Sequence, residues 1–321
     1  MKILVVRFSS IGDVVLTTPV LRSLKTALPD SELHFLVKPK FLDAVRHNRR
    51  VDKIYLYEPG VAKKLKHEGY DWVLDLQKNV RSTWLTLRLG AKRATIDKQN
   101  LKKWRMVRFK TAETVPHIVE RYGAALGPPG LQLDDGGLEF FVSEESESTA
   151  NAWLEGEKRI PIGMALGATY ATKRWPFWNE LADKIDPEKY VPVLLGGPGD
   201  APVAEAFVRR FPSAINAAGR CNLNVSAALL SRCATLVTPD TGLMHIAAAL
   251  GVPIVGIWGN TVPDFGMYPY RARHVVLENA LPCRPCSKLG HRSCPQKHFR
   301  CMTLTTPDRV WNAVTEILGS V

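Results

Sequence analysis

Two short polar turns carry the residue types best suited to chemistry, and the clearer of them is Asp240-Thr241-Gly242. This turn separates an apolar run from a predicted helix of about three turns, which ends at Gly251. Thr241 and Gly242 lie where the helix begins, so their free backbone N–H groups and the positive end of the helix dipole would point out of the sheet. Such a corner binds an anion, most simply a phosphate. In the alternative interpretation, Asp240 and Thr241 only cap the helix, with Asp240 as the N-cap.

The second turn follows a short apolar run at residues 3–6 and contains Ser9, Ser10, Gly12 and Asp13. Its hydroxyl and amide groups could also bind an anion, but it lacks the three glycines of the dinucleotide-binding fingerprint. Asp13 has two interpretations. A carboxylate at a helix N-terminus is a favourable partner of the helix dipole. The same position lets it act as a base that is ionised at neutral pH, because the helix end favours its charged form.

Alternating strands and helices must position both turns. The first half of the chain has predicted strands at 3–6, 33–37, 53–57 and 72–77 and predicted helices at 14–28, 39–48 and 60–68. The second half has predicted strands at 160–166, 191–195, 236–239 and 252–258 and predicted helices at 177–184, 202–211, 225–233 and 242–250. Alternation of this kind predicts an α/β protein with doubly wound, mainly parallel sheets.

A stretch at 128–158 that is rich in Pro, Gly, Ser and acidic residues separates the two patterns. It predicts an N-terminal Rossmann-like domain over 1–157 and a C-terminal Rossmann-like domain over 158–305. A final helix over 306–321 begins at Pro307, because proline is favoured at the first helical position. Two such domains leave an interdomain cleft between the carboxyl edges of their sheets, and ligands bind in clefts of that kind.

Composition narrows the class of protein. The chain has 321 residues and a formal net charge of +12, which suits an anionic substrate, a membrane surface or nucleic acid without choosing among them. No apolar run approaches the roughly 20 residues that a bilayer span requires, and the first strand is too short for a signal peptide. We therefore expect a cytoplasmic protein whose six cysteines do not form a disulfide framework.

Four of the cysteines are clustered near the C-terminus, and their pattern begins like a zinc site. Cys283 and Cys286 form a CxxC motif, but six residues separate Cys294 from Cys301, unlike the tight second pair of most zinc ribbons. We expect reduced cysteines, with structural zinc as the less favoured alternative.

A basic segment occupies residues 78–110, where eleven Lys and Arg residues face a single acid, Asp97. Large apolar residues, among them Trp84, Trp104 and Phe109, are interleaved with these charges. The mixture is typical of a segment that meets an anionic amphiphile, and it would equally serve nucleic acid. A solvated helical face with its aromatics turned to the core is the third interpretation. Arg81 is singled out because it follows a predicted strand, at the sheet edge expected to carry Asp13.

Three motifs together resemble the bacterial ADP-heptose:lipopolysaccharide heptosyltransferases (glycosyltransferase family 9). They are residues 9–13 (Ser-Ser-Ile-Gly-Asp), residues 172–176 (Thr-Lys-Arg-Trp-Pro) and residues 239–245 (Pro-Asp-Thr-Gly-Leu-Met-His), and they span almost the whole chain. Met244 stands where the family often has Ser. The resemblance implies a GT-B fold, an inverting transfer of heptose from ADP-heptose to the inner core of lipopolysaccharide, and no metal at the active site.

The resemblance also implies roles for individual residues. Asp13 matches the general base that takes a proton from the acceptor hydroxyl, and Lys173 would stabilise the charge that develops on departing ADP. The predicted donor-binding residues are Thr169, Thr172, Lys173, Gly197, Gly219, Asp240, Thr241, Gly242 and His245. The predicted acceptor-binding residues are Ser9, Ser10, Gly12 and Arg81. For His245, a core histidine is an equally good interpretation.

The implied partners are ADP-heptose, a lipopolysaccharide core or lipid A acceptor, and the cytoplasmic face of the inner membrane, with no cofactor and no nucleic acid. We therefore expect a cytoplasmic protein that associates peripherally with that membrane and whose final helix packs back on the N-terminal domain. One alternative is a GT-B transferase that uses another sugar nucleotide. Another is a non-catalytic protein that binds anions or nucleic acid, a role that requires neither Asp13 nor Lys173.

Overall fold

The computed structural model describes residues 1–319, and these form two compact units. The first unit contains residues 1–99 and 116–141, and the second contains residues 100–115 and 142–319. The chain therefore enters the second unit twice, once through part of the basic segment and again at residue 142. This differs from the predicted boundary at 157/158.

Eleven strands are present among the described residues, and all of their pairings are parallel. In chain order they are β1 (Lys2–Val6), β2 (Glu32–Val37), β3 (Lys53–Leu56), β4 (Trp72–Asp75), β5 (Lys92–Thr95), β6 (Ile160–Ala165), β7 (Tyr190–Leu195), β8 (Ile215–Asn216), β9 (Thr235–Pro239), β10 (Ile254–Ile257) and β11 (His274–Leu277).

Helices cover most of the connections between these strands. In chain order they are α1 (Ile11–Val15), α2 (Thr18–Ala27), α3 (Val61–Glu68), α4 (Val80–Leu87), α5 (Asn100–Phe109), α6 (Ile118–Gly123), α7 (Glu144–Trp153), α8 (Trp178–Ala182), α9 (Ala201–Arg210), α10 (Leu223–Leu230), α11 (Gly242–Ala249), α12 (Arg300–Thr303) and α13 (Pro307–Gly319). Short 3-10 helices lie at Pro39–Ala44, Ala124–Leu126, Ala171–Lys173, Pro198–Asp200 and Pro263–Phe265.

Two predicted helices are wrong in detail. The helix expected at 14–28 is two helices, because Pro19 lacks an N–H and occupies the second position of α2. The helix expected at 39–48 is the 3-10 helix Pro39–Ala44.

The first unit is built on a five-stranded sheet with the order β3-β2-β1-β4-β5. Its strands are short and apolar, as expected of parallel strands that are covered on both faces. Leu4, Val6, Leu36 and Val73 are buried there, and Leu65 of α3 packs against them. β1 lies at the centre, and its last residue, Val6, pairs with Asp75 at the end of β4.

The second unit is built on a six-stranded sheet with the order β11-β10-β9-β6-β7-β8. Helix α7 packs on α10, which explains why residues 142–157 belong to this unit. Helix α13 packs on α8 and on the sheet, where Val310, Val314 and Ile317 join the buried core. The prediction that the final helix packs back on the N-terminal domain is thus corrected, because the second sheet takes up its apolar face. Residues 320 and 321 of that predicted segment lie outside the described residues.

The two sheets confirm the predicted fold class of two doubly wound, parallel α/β domains. Within residues 1–319, every helix is too short or too polar to cross a bilayer.

Candidate active site

In the first unit, Asp13 lies at the point where the strand order of the sheet reverses. The chain runs from β1 outward through β2 and β3, and then returns to place β4 on the other side of β1. Such a switch point opens a crevice at the carboxyl ends of the two central strands, and α/β proteins bind ligands there. The turn with Asp13 follows β1, and the turn before Arg81 follows β4.

The carboxylate of Asp13 is held by Arg7 and Ser10. Nη2 of Arg7 lies 2.8 Å from Oδ1 of Asp13, and Oδ2 accepts hydrogen bonds from the backbone N–H of Ser10 at 3.0 Å and from its hydroxyl at 2.9 Å. The side chain of Asp13 remains 22% exposed. Asp13 therefore lies in the first turn of α1, where it accepts from the N–H of the N-cap Ser10. It also remains accessible to a substrate, as its interpretation as a base requires.

The pKa of Asp13 lies below its ordinary value. Burial alone would raise this pKa, but the charge of Arg7 and the hydrogen bonds from Ser10 outweigh burial. Arg7 is itself only 8% exposed, and its remaining N–H groups donate to the carbonyl oxygens of Leu76 and Ser9 at 2.7 and 2.8 Å. Asp13 is therefore ionised at neutral pH, next to a cation that the backbone holds in place.

The other predicted acceptor-binding residues near Asp13 differ in how far they are exposed to solvent. Ser10 is exposed, Ser9 is half-buried and Gly12 is buried in α1. Arg81 lies in the first turn of α4, is exposed, and makes no hydrogen bond or ion pair with any residue in 1–319. Its guanidinium is thus available to an anion.

Besides Arg7, two residues that were not predicted from the sequence lie at the same edge of the sheet. Asp75 is fully buried at the end of β4, where it accepts from Ser82 at 3.0 Å and from the backbone N–H of Lys78 at 2.8 Å. Lys98 follows β5 and is half-buried. Burial lowers the pKa of Lys98, and the nearby charge of Arg7 lowers it further. Lys98 becomes a candidate only once β5 is placed beside β4, because the strand that precedes it was not predicted.

In the second unit, the equivalent switch point lies between β6 and β9. Lys173 is on the loop after β6, and Asp240 follows β9. Their side chains form an ion pair and are 15% and 13% exposed, and the hydroxyl of Thr261 donates to Asp240 at 3.1 Å. Asp240 is not the N-cap of α11, as one interpretation held; Thr241 is the N-cap. The carboxylate of Asp240 instead holds Lys173.

Thr172 joins three loops beside this pair. It is 2% exposed, and its hydroxyl donates to Asn260 at 3.1 Å while accepting from the backbone N–H of His291 at 2.8 Å. These hydrogen bonds of Thr172 fix the loop that carries Lys173 to the loops of Asn260 and His291. Thr169, on the same loop, is exposed and without a hydrogen-bond partner in the described chain.

Glycines bring two further loops against the loop after β6 at the same edge of the sheet. Gly219 has a φ of +70°, and a Cβ there would lie 2.9 Å from the Cα of Pro198. A Cβ on Gly167 would collide with the carboxylate of Asp200, which accepts from the N–H of Gly197 at 2.9 Å. The loops after β6, β7 and β8 thus converge closely at this edge of the sheet.

The N-terminus of α11 lies at the carboxyl end of β9, as predicted. Thr241 and Gly242 are partly exposed there, and the hydroxyl of Thr241 is 3.1 Å from that of Thr238. The first N–H groups of this eight-residue helix suit an anion next to the cation of Lys173. His245 is 2% exposed, which favours the core interpretation of this residue.

The cysteines and histidines of residues 283–301 do not bring three potential ligand atoms within 4.8 Å of one another. Sγ of Cys283 is 3.8 Å from Nε2 of His298, and Sγ of Cys286 lies 3.1 Å from the carbonyl oxygen of Cys283. Among residues 1–319, three potential metal-ligand atoms lie within 4.8 Å of one another only at Glu32, His34 and Glu68. Lys2 and Lys53 already pair with Glu68 there, at the opposite end of the first sheet from Asp13.

Comparisons with known proteins match the chain to heptosyltransferases. The model of glycosyltransferase family 9 (heptosyltransferase) matches residues 60–297. Lipopolysaccharide heptosyltransferase 1 of Pseudomonas aeruginosa is 30% identical to the chain, over 97% of the chain and 96% of that protein.

Solved structures agree with this match. The glycosyl transferase family 9 protein from Veillonella parvula has a TM-score of 0.82 and 24% identity, with 100% of this chain and 98% of that chain covered. The ADP-heptose lipopolysaccharide heptosyltransferase II of Escherichia coli has a TM-score of 0.77 and 24% identity, with 100% and 99% covered. Together with the two doubly wound sheets, this likeness confirms the predicted GT-B fold.

Proposed function

The chain belongs to glycosyltransferase family 9, the heptosyltransferases. From this premise we propose how the turn that contains Asp13 and the loops that contain Lys173 and Thr241 take part in the reaction. The enzyme transfers heptose from ADP-heptose to the inner core of lipopolysaccharide. The observation that carries the proposal is the placement of Asp13 and Lys173, each beside the switch point of its own parallel sheet.

Asp13 acts as the general base. Its ionised carboxylate accepts the proton of the acceptor hydroxyl as the hydroxyl oxygen attacks the anomeric carbon from the face opposite ADP, which inverts that centre. Arg7 and Ser10 occupy only part of the carboxylate's acceptor capacity. A carboxylate with a low pKa suffices because bond cleavage runs ahead of attack in an oxocarbenium-like transition state, so that proton transfer comes late.

Lys173 stabilises the negative charge that grows on the diphosphate as the bond to heptose breaks. Asp240 limits the motion of the lysine and keeps it near the N-terminus of α11. Thr241 and Gly242 add neutral N–H donors to the same phosphates. A fixed cation and a helix N-terminus are together sufficient for this charge, so we expect transfer to proceed without a metal.

The donor also contacts Thr169, Thr172 and the loops of Gly197 and Gly219, which leave backbone groups for the adenosine and its phosphates. The acceptor brings its own phosphate or acidic sugar, which Ser9, Ser10, Gly12 and Arg81 receive. Because that acceptor is anchored by lipid A, the enzyme works at the cytoplasmic face of the inner membrane and associates with it peripherally. Nucleic acid is not a partner in this proposal.

The test is the variant Asp13→Asn, which removes the base and keeps the shape of the side chain. Transfer to a lipopolysaccharide inner-core acceptor should fall by about a hundredfold to ten thousandfold, whereas calorimetric affinity for ADP should stay within about twofold because Asp13 does not contact the donor. Asp43→Asn, a partly exposed aspartate of the same unit, is the control and should change neither quantity. Unchanged turnover in Asp13→Asn would remove the proposed mechanism.

A thermal-shift panel of ADP, UDP, GDP and duplex DNA separates the alternatives. Stabilisation by ADP alone supports the proposal, and stabilisation by UDP or GDP alone indicates a transferase with another sugar nucleotide. Stabilisation by duplex DNA alone would contradict the proposed enzyme and indicate a nucleic-acid-binding protein.

A further inference from the structure

Exposed large apolar side chains are concentrated in one short part of the chain. Of the eleven among the described residues, six lie between residues 80 and 109, which is less than a tenth of that length. They are Val80, Trp84, Leu87, Leu101, Trp104 and Phe109. An accumulation of this kind marks an interaction surface, whereas single exposed apolar residues are ordinary.

Three of the six form one stripe on helix α4, which we call the α4 stripe: Val80, Trp84 and Leu87. Their spacing of four and then three residues places them on one helical face, and they are 87%, 57% and 65% exposed. Leu85, on the other side of the helix, is buried in the core of the first unit. One side of α4 therefore packs on the core of the first unit. The α4 stripe is a second apolar side of the helix, and it is exposed to solvent.

The other three form the α5 stripe on helix α5: Leu101, Trp104 and Phe109, which are 68%, 48% and 60% exposed. The rings of Trp104 and Phe109 meet edge to face with centroids 5.4 Å apart. Met106 of the same helix is 2% exposed and packs against Val115 and Phe265. This helix is therefore attached to its unit through Met106 and also presents large apolar groups to solvent.

Arginines lie directly beside both stripes. The guanidinium of Arg88 lies over the ring of Trp84, 3.2 Å from its centroid, and that of Arg108 is 5.8 Å from the centroid of Phe109. Neither arginine makes an ion pair with a residue in the described part of the chain. Residues 78–110 carry eleven basic residues and one acid, so the segment that contains both stripes is strongly positive.

This combination fits an anionic bilayer better than other partners. Nucleic acid would use the arginines and aromatics, but the aliphatic Val80, Leu87 and Leu101 would gain nothing from a polar phosphate backbone. A second copy of this chain would bring two positive surfaces together. At a lipid surface, aliphatic and aromatic groups enter the boundary between headgroups and acyl chains while arginines reach the phosphates.

We propose that the α4 stripe and the α5 stripe each bind the surface of an anionic lipid bilayer, with their apolar side chains inserted below the headgroups. The proposal deepens the function proposed above and rests on it, because the acceptor of that reaction is a lipid-anchored glycan.

The first experiment measures co-sedimentation with vesicles of phosphatidylcholine that contain phosphatidylglycerol, and with phosphatidylcholine vesicles alone. The protein should bind the anionic vesicles and bind the neutral ones much more weakly. Replacing all three residues of the α4 stripe, or all three of the α5 stripe, by serine should lower the partition coefficient at least about tenfold, since three large side chains leave the apolar boundary. The double variant Leu289→Ser with Leu304→Ser removes comparably exposed leucines elsewhere and should leave binding unchanged.

A charge variant tests the electrostatic half of the proposal. Arg88→Gln with Arg108→Gln should weaken binding to the anionic vesicles, whereas Lys63→Gln with Lys64→Gln, which removes two exposed lysines of α3, should have a much smaller effect. Binding should decrease with salt but persist in part, because screening removes the charge attraction and leaves apolar insertion. Complete loss of binding in salt would contradict insertion.

Fluorescence gives a readout that does not depend on disruptive substitutions. Vesicles with brominated acyl chains should quench tryptophan emission on binding, and Trp84→Phe and Trp104→Phe should each remove part of that quenching. The buried Trp175, Trp178 and Trp258 are out of reach of the bromines. Quenching that both variants leave unchanged would overturn the proposal.

Transfer to a deacylated, water-soluble inner-core acceptor separates this proposal from the proposed function. The stripe variants should retain that transfer while they lose vesicle binding. An enzyme that performs the transfer but does not bind anionic vesicles refutes the lipid surface alone, and one that binds vesicles without transfer refutes the function alone. Loss of self-association or of duplex DNA binding in the stripe variants, in place of vesicle binding, would also overturn the lipid assignment.

Discussion

Replacing Arg7 by methionine tests whether a buried ion pair keeps Asp13 ionised. The guanidinium of Arg7 lies 2.8 Å from Asp13 and donates to the carbonyl oxygens of Leu76 and Ser9. Methionine has a similar length and no charge, so Asp13 keeps its burial and loses its nearest cation. We expect the variant to lose both stability and the ability to work at mildly acid pH.

The sign of the pH dependence follows from the direction of the pKa shift. In the wild type, the folded state lowers the pKa of Asp13, so ionisation of Asp13 stabilises the fold above the unfolded pKa, and this contribution is lost as the pH falls through the folded pKa. In Arg7→Met, burial remains without the compensating charge, so the folded pKa rises. The difference in unfolding free energy between wild type and variant should therefore increase from low pH to neutral pH.

The magnitude follows from the burial of the pair. Removing one partner of a buried ion pair costs about 3–5 kcal/mol, and the 22% exposure of the Asp13 side chain favours the lower end. In a double-mutant cycle with Arg7→Met and Asp13→Asn, we expect a coupling free energy of about 2–3 kcal/mol at neutral pH. The exposed pair Arg46 and Asp43 is the control and should show little or no coupling.

Amide hydrogen exchange of β1 and β4 is a suitable assay, because it reports the opening free energy of the first unit without assuming that both units unfold together. Steady-state kinetics on Arg7→Met should show the acid limb of the kcat/KM profile displaced to higher pH. A coupling free energy within about 0.5 kcal/mol of zero, or an acid limb that does not move, would refute this account of Asp13.

Three further predictions concern the other parts of the site. Lys173→Met should weaken ADP binding in calorimetry by about tenfold or more and lower turnover, since a charged contact to the diphosphate is lost; unchanged ADP affinity would separate Lys173 from the donor. Lys98→Met should raise the KM for the acceptor while ADP affinity stays constant, and an effect on ADP affinity alone would place Lys98 elsewhere. Gly219→Ala should lower stability by about 1–2 kcal/mol or more, because the φ of +70° disfavours alanine and the new Cβ would lie 2.9 Å from Pro198; a thermal midpoint equal to that of the wild type would contradict the close approach of these loops.

Local patterns in the sequence were sufficient to predict most of the strands and the two polar turns. Parallel strands are buried on both faces, so β1, β7 and β9 stand out as short apolar runs. Helix α11 was identified because a polar turn and Gly251 bound its apolar run, and Gly251 has the positive φ of +72° expected after a helix. The strands β5, β8 and β11 were missed. Lys92 and Arg93 in β5 and His274 in β11 weaken the apolar signal, and β8 has only two residues.

The contacts within the candidate site could not be predicted in the same way. Asp240 was expected as a cap, but it pairs with Lys173, which is 67 residues away in the chain. Lys98 could not be distinguished from the other ten Lys and Arg residues of the basic segment until the structure placed β5 beside β4. The basic segment divides between the two units, although its composition is uniform.

By itself, then, the sequence determined which residues form strands, helices and turns, and through its motifs the family to which the chain belongs. Tertiary structure alone decided that Arg7 neutralises Asp13, that Asp240 holds Lys173, and that the last helix covers the second sheet. The physical reason is that hydrophobic periodicity and capping act over a few neighbouring residues. Pairing of charges and coverage of apolar faces depend on strand order, which brings distant segments to one edge of a sheet.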